Sequence, residues 1–307
     1  NQEQWIRQTL DSILAQQTIY PFEVIIGEDH GTDGTRAICQ EYANKYDNVI
    51  LLPSERNIGV TANWIQCVQA GRGKYIMNCA GDDYWHNPNK IQLQVDYMEQ
   101  HPDCVICHTD NDVLYVTTGK LVPASRENAR IVPPEGNIQR EIFRGKAYIS
   151  ALTCCYRREI FEKYVPTDKY IELGLLGEDY PTWVIMSGYG MVNYIPISTA
   201  TYRVGQPSII RRSDYEWIRY RYCVEKRQAQ WLRETFPNLG KYTEQDERYY
   251  DNYCVHQLVE AAYRKNDYKS ARKFAKIDTM SNWKTYMAYT WLTFNVARIY
   301  LKKRGKC

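Results

Sequence analysis

The first hundred residues alternate apolar runs of strand length with stretches of helical period, joined by short connections. Trp5, Ile6, Leu10, Ile13 and Leu14 recur at three- and four-residue steps, which predicts a helix over 2–17. Pro21 breaks that pattern, and Phe22 to Gly27 is an apolar run of strand length. Helices are expected at 35–46, 60–70 and 88–100, the last opened by Pro88, with strands at 49–52 and 75–79. This alternation points to an α/β layer with a largely parallel sheet. Such sheets bind ligands in the crevice at the carboxyl ends of their strands. Two acidic clusters fall at those ends: Glu28-Asp29 after the first of these strands and Gly81-Asp82-Asp83 after the third.

Further strands are expected at 104–107, 113–117, 153–156, 191–195 and 198–204, with a helix over 180–187 that carries Pro181 in its first turn. Residues 118–147 are loop-rich, with Pro123, Pro133, Pro134 and Gly136, and suit a lid or an acceptor loop. Near Ser213 the composition shifts: glycine becomes rare and helices are expected over 213–236, 243–264, 267–278 and 283–303. A length of 307 residues fits two domains, here an α/β domain over 1–210 and a helical extension over 211–307. The last helix is too short and polar to span a membrane. Its aromatics and the basic Lys302-Lys303-Arg304 end would suit peripheral contact with a bilayer surface through 283–304, and packing onto the domain is the plainer alternative.

Apolar residues at 44% and charged residues at 24% exclude a disordered chain. Thirty-nine basic against 36 acidic residues leave +3, too mild a balance to imply nucleic acid. The ten cysteines sit mostly singly in apolar segments, and nothing after Asn1 reads as a secretory leader, so none is expected. The expectation is reduced thiols in a cytoplasmic protein. Cys104-Val-Ile-Cys107-His108 spells the haem-attachment pattern, but it falls in a segment that reads as a buried strand, and no second Cys/His pair follows at zinc-ligand spacing.

Adjacent carboxylates on a glycine-permitted turn, as at Asp82 and Asp83, make a hard-oxygen site for Mg²⁺ or Mn²⁺, and a solvated turn is the competing explanation. Asp29 can accept hydrogen bonds from a ribose or a base N–H, and Arg56 and Asn57 can add donors after the next strand. Glu178-Asp179 precedes a helix, where carboxylates are favoured on structural grounds alone. The functional alternative is a general base, an ionised carboxylate that takes the proton of an attacking hydroxyl.

Taken together, these segments resemble family 2 glycosyltransferases. Glu28-Asp-His-Gly-Thr-Asp-Gly-Thr35 is similar to the family's D-D-G-S-T-D-G-T signature, and Arg56-Asn57-Ile-Gly59 to its N-x-G segment. Gly73-Lys-Tyr-Ile-Met-Asn-Cys-Ala-Gly-Asp-Asp-Tyr-Trp85 resembles its G-x-Y-I…G-D-D-Y-W form of the D-x-D motif, and Asn87-Pro88 with the helix of Gln94 continues the match. Gly177-Glu178-Asp179-Tyr180 resembles the E-D segment, and Thr201-Tyr-Arg203 the Y-R that follows. The segments come in the family's order over about residues 1–210.

The resemblance implies a GT-A fold: a Rossmann-like mixed sheet, mostly parallel and flanked by helices. It implies inverting transfer of a sugar from a nucleotide-diphosphate donor, with a UDP-sugar expected, to a glycan or lipid-linked glycan at the inner face of the membrane, as in bacterial surface-polysaccharide synthesis. Glu28, Asp29, Asp33, Arg56, Asn57, Asp82, Trp85 and Arg203 would bind the nucleotide-sugar. Asp82 and Asp83 would hold Mg²⁺ or Mn²⁺, and Asp179 would be the base with Glu178 beside it.

The sequence departs from the family at three places. Asn1 aligns with the end of the family's opening strand. Ala80 replaces the first acid of D-x-D, and Gly205-Gln206 stands where many members carry a histidine. A catalytically silent sugar-nucleotide-binding or scaffold protein is the alternative. A nucleotidyltransferase would need a basic, Gly-rich phosphate loop, and none is present. A glycosidase would need two carboxylates across one sugar rather than a metal pair.

Overall fold

The computed structural model describes residues 1–129, 132–205 and 212–275. The chain divides into two compact units, Asn1–Pro207 and Ser208–Cys307. The first unit runs α1 (Ile6–Leu14), β1 (Val24–Ile26), α2 (Thr35–Lys45), β2 (Val49–Leu51), α3 (Val60–Ala70), β3 (Tyr75–Met77) and α4 (Lys90–Gln100). It continues through β4 (Cys104–Tyr115), β5 (Lys120–Val122), α5 (Ser125–Asn128), α6 (Gln139–Phe143), β6 (Cys154–Arg157), α7 (Arg158–Tyr164), α8 (Thr167–Leu173), α9 (Asp179–Met186) and β7 (Met191–Val204). The second unit holds α10 (Tyr215–Thr235), α11 (Glu244–Arg264) and α12 (Tyr268–Ala275).

α1 forms because Ile6, Leu10 and Ile13 repeat on one face, and burying that face stabilises it more than helix propensity does. The three side chains join a core built from Val24 and Ile26 of β1, Cys39 and Tyr42 of α2, Val49 of β2, Trp85, and Ile91 and Val95 of α4. The polar residues on α1 also point inward. The Thr9 hydroxyl lies 2.6 Å from the carbonyl of Asp83 and 3.0 Å from that of Gly81. Ser12 Oγ accepts from the Trp85 N–H at 3.1 Å, and Gln16 Nε2 donates to the Asn87 carbonyl at 2.9 Å. α1 and the residues just after it therefore hold the turn that follows β3.

The sheet is mixed. β1 and β2 pair in parallel, and β4 and β7 pair in parallel along nearly their whole length. β6 pairs antiparallel with both β3 and β4, and β5 pairs antiparallel with β4. The parallel pairings carry most of the paired residues, as expected for a mixed, mostly parallel sheet. The regular helix–strand alternation ends after α4, where β4 and β5 form an antiparallel hairpin. β1–β2 and the five strands around β4 form two separate hydrogen-bonded groups among the described residues.

Two pairs of expected strands prove to be single strands. Segments 104–107 and 113–117 belong to β4, and 191–195 and 198–204 belong to β7, which continues across Pro196. The polar run His108-Thr109-Asp110-Asn111 hides the continuity of β4, because buried polar groups interrupt the apolar pattern. Each is paired in the fold. His108 Nε2 meets the Pro134 carbonyl at 2.7 Å and Thr109 meets Thr199 at 2.7 Å. The Asp110 carboxylate accepts from the N–H groups of Asn111, Arg126 and Glu127 and so caps α5. Register shifts around Thr109–Asn111 absorb the irregularity. The short α8 lies in a stretch for which no helix was expected.

The nine cysteines among the described residues carry no disulfide, and Cys104 and Cys107 are fully buried in β4, so the C-x-x-C-H pattern there is sheet core. The second unit packs Ile218 and Tyr222 of α10 against Leu258, Ala261 and Ala262 of α11 and Ala271 and Phe274 of α12. Asp214 caps α10, and a capping box of Thr243 and Asp246 opens α11. No helix among the described residues is long and apolar enough to cross a membrane. The aromatic, basic segment 283–304 lies outside the described residues.

Thr9→Val keeps the shape of the side chain but leaves the Gly81 and Asp83 carbonyls without their donor. It is expected to cost about 1–2 kcal/mol. A lowered urea midpoint with an unchanged denaturant slope is the measurement that checks this.

Candidate active site

The turn after β1 is folded by its own acidic residues. Glu28 is only 6% exposed; its carboxylate accepts from the Gly31 N–H at 2.5 Å and meets Arg36 at 3.3 Å. Asp33 accepts from the Thr35 hydroxyl and N–H, which starts α2, and from the Glu3 N–H at 3.0 Å. These bonds to its charged form hold the Asp33 carboxyl below its ordinary range, against its partial burial. Asp29 faces the turn after β2. Its two oxygens accept from the N–H groups of Ile58 at 2.7 Å and Gly59 at 2.9 Å, and Asn57 Nδ2 donates to its carbonyl at 2.7 Å. Gly59 has φ +89°, which gives a glycine there a conformational reason. His30 also sits in the left-handed region, at φ 56°, at the position the D-D-G-S signature fills with glycine. Arg56 and Asn57 are exposed, and Arg56 lines a surface groove with Pro53, Ser54, Glu55, Ile58 and Gln66.

The turn after β3 is built around Arg203. The Arg203 N–H donates to Asp83 Oδ1 at 2.8 Å, and its guanidinium donates to the Asp82 carbonyl and to Gln8 Oε1. That guanidinium lies between the Trp5 and Tyr84 rings, 4.5 and 4.7 Å from their centroids. Asp83 is 3% exposed, and burial pushes its carboxyl up to about 7, with the neighbouring Asp82 adding to the effect. Asp82 keeps partial exposure.

Glu178 and Asp179 open α9, where the helix N-terminus favours negative charge. Asp179 Oδ1 accepts from the Tyr180 N–H at 2.8 Å. Both residues are half-buried, so their carboxyls lose part of their hydration. This desolvation raises Asp179. It also raises Glu178, and the charge of Asp179 helps carry Glu178 to about 7.

Hydrogen bonds link these distant segments into one rim. Asn1 and Glu3 tie the start of the chain to Thr32 and Gly34, and the same start runs into α1 and so to Gly81 and Asp83. On the other side, the Thr61 hydroxyl, just past the Gly59 turn, donates to the Leu175 carbonyl at 2.7 Å, three residues before Glu178. The Tyr180 hydroxyl reaches the Phe143 carbonyl at 2.8 Å and brings in the long loop after β5.

The structure turns four of the expected site residues inward. Trp85 is 6% exposed in the core, with Lys90 Nζ 5.3 Å from its ring. Glu28 and Arg203 are spent on folding their turns. Asp83, expected as a metal ligand, is buried on the Arg203 N–H. The apolar character of Trp85 and the demand for a buried partner at Arg203 explain these placements better than ligand contact does. Trp5, Gln8, Thr9 and Thr61 matter to the site and were missed. The signal available was polar residues on the apolar face of a helix at Thr9, Ser12 and Gln16.

Among the described residues no three His, Cys, Asp or Glu side chains converge on a cation site. Asp82, a partly exposed carboxylate, can supply one oxygen to Mg²⁺ or Mn²⁺ only where a ligand and water supply the rest.

A mixed sheet flanked by helices, with acidic turns at the carboxyl ends of its strands, defines the GT-A class of fold. The chain belongs to glycosyl transferase family 2, whose family description matches residues 1–165. A Mycobacterium tuberculosis protein of uncharacterized activity is 43% identical over 116 residues, 38% of this chain and 34% of that protein. The match thus spans about a third of that relative's length. The putative glycosyltransferase EpsH of Bacillus subtilis is 25% identical over 235 residues, 76% of this chain and 67% of that protein. In fold, the chain is similar to the mannosyltransferase PcManGT of Pyrobaculum calidifontis, solved with GDP-Man and Mn²⁺. The TM-score is 0.53 at 15% identity, over 99% of this chain and 80% of that one.

A carboxyl raised in the folded state favours folding below its ordinary pKa and loses that contribution as pH rises through the folded value. For Glu178 the window runs from about 4.5 to about 7. Glu178→Gln is therefore expected to gain about 1–2 kcal/mol over the parent between pH 5 and pH 8, after discounting for partial exposure. Denaturant titrations at the two pH values measure it.

Proposed function

We propose that the chain moves a sugar from a nucleotide-diphosphate donor to a hydroxyl of a glycan or lipid-linked glycan, by a single displacement that inverts the anomeric centre. The observation that carries this reading is the hydrogen-bonded rim joining the Asp29, Asp82 and Glu178-Asp179 segments in a family 2 chain. Asp29, Asn57 and Arg56 are set to receive the nucleoside, with Asp33 holding their loop. Asp82 would hold Mg²⁺ or Mn²⁺, which when bound offsets the charge of the departing diphosphate. Asp179 takes the proton of the acceptor hydroxyl as the new bond forms. Burial raises its pKa, which strengthens it as a base, and Glu178 beside it is carried to about 7. Glu28, Asp83, Trp85 and Arg203 position these groups without touching the donor. A UDP-sugar is the first donor to test, and GDP- and dTDP-sugars follow.

Ala80, where the family's motif carries an acid, favours the second reading, a sugar-nucleotide-binding protein without turnover. Calorimetric titration of UDP, GDP and dTDP with and without Mn²⁺ separates the readings when paired with assays of nucleoside diphosphate release. One nucleotide is expected to bind with metal dependence, and Asp82→Asn to weaken that binding at least about tenfold through loss of a charged ligand. Asp179→Asn is expected to leave nucleotide binding intact and lower turnover by about 10²–10⁴. Unchanged turnover in that variant removes Asp179 as base, and nucleotide binding with no turnover in the parent establishes the silent protein.

A further inference from the structure

The helix α12 carries its charge on one side. Its Ala271 and Phe274 are buried against Ile218 and Tyr222 of α10 and Leu258, Ala261 and Ala262 of α11. Lys269, Arg272 and Lys273, spaced i, i+3 and i+4, are exposed on the opposite side. From 264 to 273 the chain has five basic residues, Arg264, Lys265, Lys269, Arg272 and Lys273, against one acid, Asp267. The Asp267 carboxylate is used inside the unit: it accepts from the Ser270 N–H at 3.1 Å, which caps α12, and from the Tyr215 hydroxyl at 3.0 Å. Arg264 pairs with Glu260 at 2.5 Å. Among the described residues, the ion pairs of the second unit include none of Lys269, Arg272 and Lys273.

Two further cations border this helix. Phe274 packs edge-on against Tyr215, with ring centroids 4.9 Å apart. The Arg219 guanidinium lies 5.4 Å from the Phe274 ring, and Lys265 Nζ lies 4.8 Å from the Tyr215 ring. Both residues are exposed. These contacts join Arg219, Lys265 and the three cations of α12 in one basic surface. Local structure does not account for it. A helix C-terminus favours Arg272 and Lys273, but Lys269 lies in the first turn, where the helix dipole opposes a cation. Like charges three and four residues apart on a helix also repel. An anionic partner outside the unit offsets that repulsion.

We infer that this surface holds the protein against a bilayer bearing anionic headgroups. The cations are spread over the convex side of a helix, so they meet charge distributed over an area rather than a single phosphate. Clusters of Lys and Arg on such a helix are drawn to anionic leaflets. Nucleic acid is the other extended polyanion, but its binders are strongly basic domains, and this chain's net charge is +3. The attraction is electrostatic, so salt screens it. The contact lies on α12 and its border rather than on 283–304, and it stands independently of the transferase reading.

The test is co-sedimentation of the full chain with vesicles of phosphatidylcholine alone and of equal parts phosphatidylcholine and phosphatidylglycerol, at low and high salt. The parent is expected to sediment with the anionic vesicles only and to be released by salt. The triple variant Lys269→Gln, Arg272→Gln, Lys273→Gln is expected to weaken that binding at least about tenfold, and Lys269→Gln alone about fivefold. The charge-keeping variant Lys269→Arg, Arg272→Lys, Lys273→Arg is expected to retain it. Thermal midpoints matching the parent show that a loss of binding is not a loss of fold. Equal sedimentation with neutral vesicles overturns the inference, as does unchanged binding in the triple Gln variant or a parent that binds neither vesicle. Tighter binding to duplex DNA than to anionic vesicles, lost in the same variant, assigns the surface to nucleic acid and overturns the bilayer.

Discussion

Arg203 is the point on which the first unit closes. A buried guanidinium is costly unless its charge and its N–H groups are met. Here the charge and the terminal N–H groups are met from two segments far from Arg203 in the chain: Gln8 and Trp5 from the start, and Tyr84 and the Asp82 carbonyl from the turn after β3. The Arg203 backbone N–H in turn fixes the buried Asp83. Asp82, the one carboxylate of the pair that keeps partial exposure, is thereby set by a backbone whose neighbours on both sides are tied down. The acidic turn is held because Asp83 accepts the Arg203 backbone N–H while the Arg203 guanidinium grips the Asp82 carbonyl.

The same logic separates the acidic residues into two kinds. Glu28, Asp33, Asp83 and Asp110 spend their oxygens on backbone N–H groups, and three of the four lie almost wholly out of water. Asp82, Glu178 and Asp179 retain access to solvent. Adjacent acids in the sequence, Asp82-Asp83 above all, therefore divide into one that builds and one that faces the cleft. Residue identity alone does not reveal this division, because both kinds carry the same side chain.

Much of the order of elements was legible. The periodicity of Ile6, Leu10 and Ile13 and the apolar runs before Glu28 and Ala80 suffice to place α1, β1 and β3, because each depends on a local pattern. The motif segments were legible for the same reason: each is a turn following a strand. What stayed hidden depends on partners far along the chain. β4 and β7 read as broken because His108, Asp110 and Pro196 look like interruptions until Pro134, Arg126 and the register shifts are known. Trp85 and Arg203 read as ligand contacts because an aromatic and a cation near a motif suit that role, and only the three-dimensional core shows that they face inward.

The Arg203 contacts also bear on how the chain acquires its shape. Its bond to Gln8 spans 195 residues and its bond to Asp83 spans 120. Contacts of such separation form late, because the entropy of closing the loop must be met before the contact returns anything. α1 can coil early, but its polar face has no destination until β3 and the turn beyond it exist, and that turn is not locked until β7 arrives. During synthesis the acidic turns would emerge long before the residue that fixes them. The first unit is thus disposed to close its acidic rim late, only once β7 has been made.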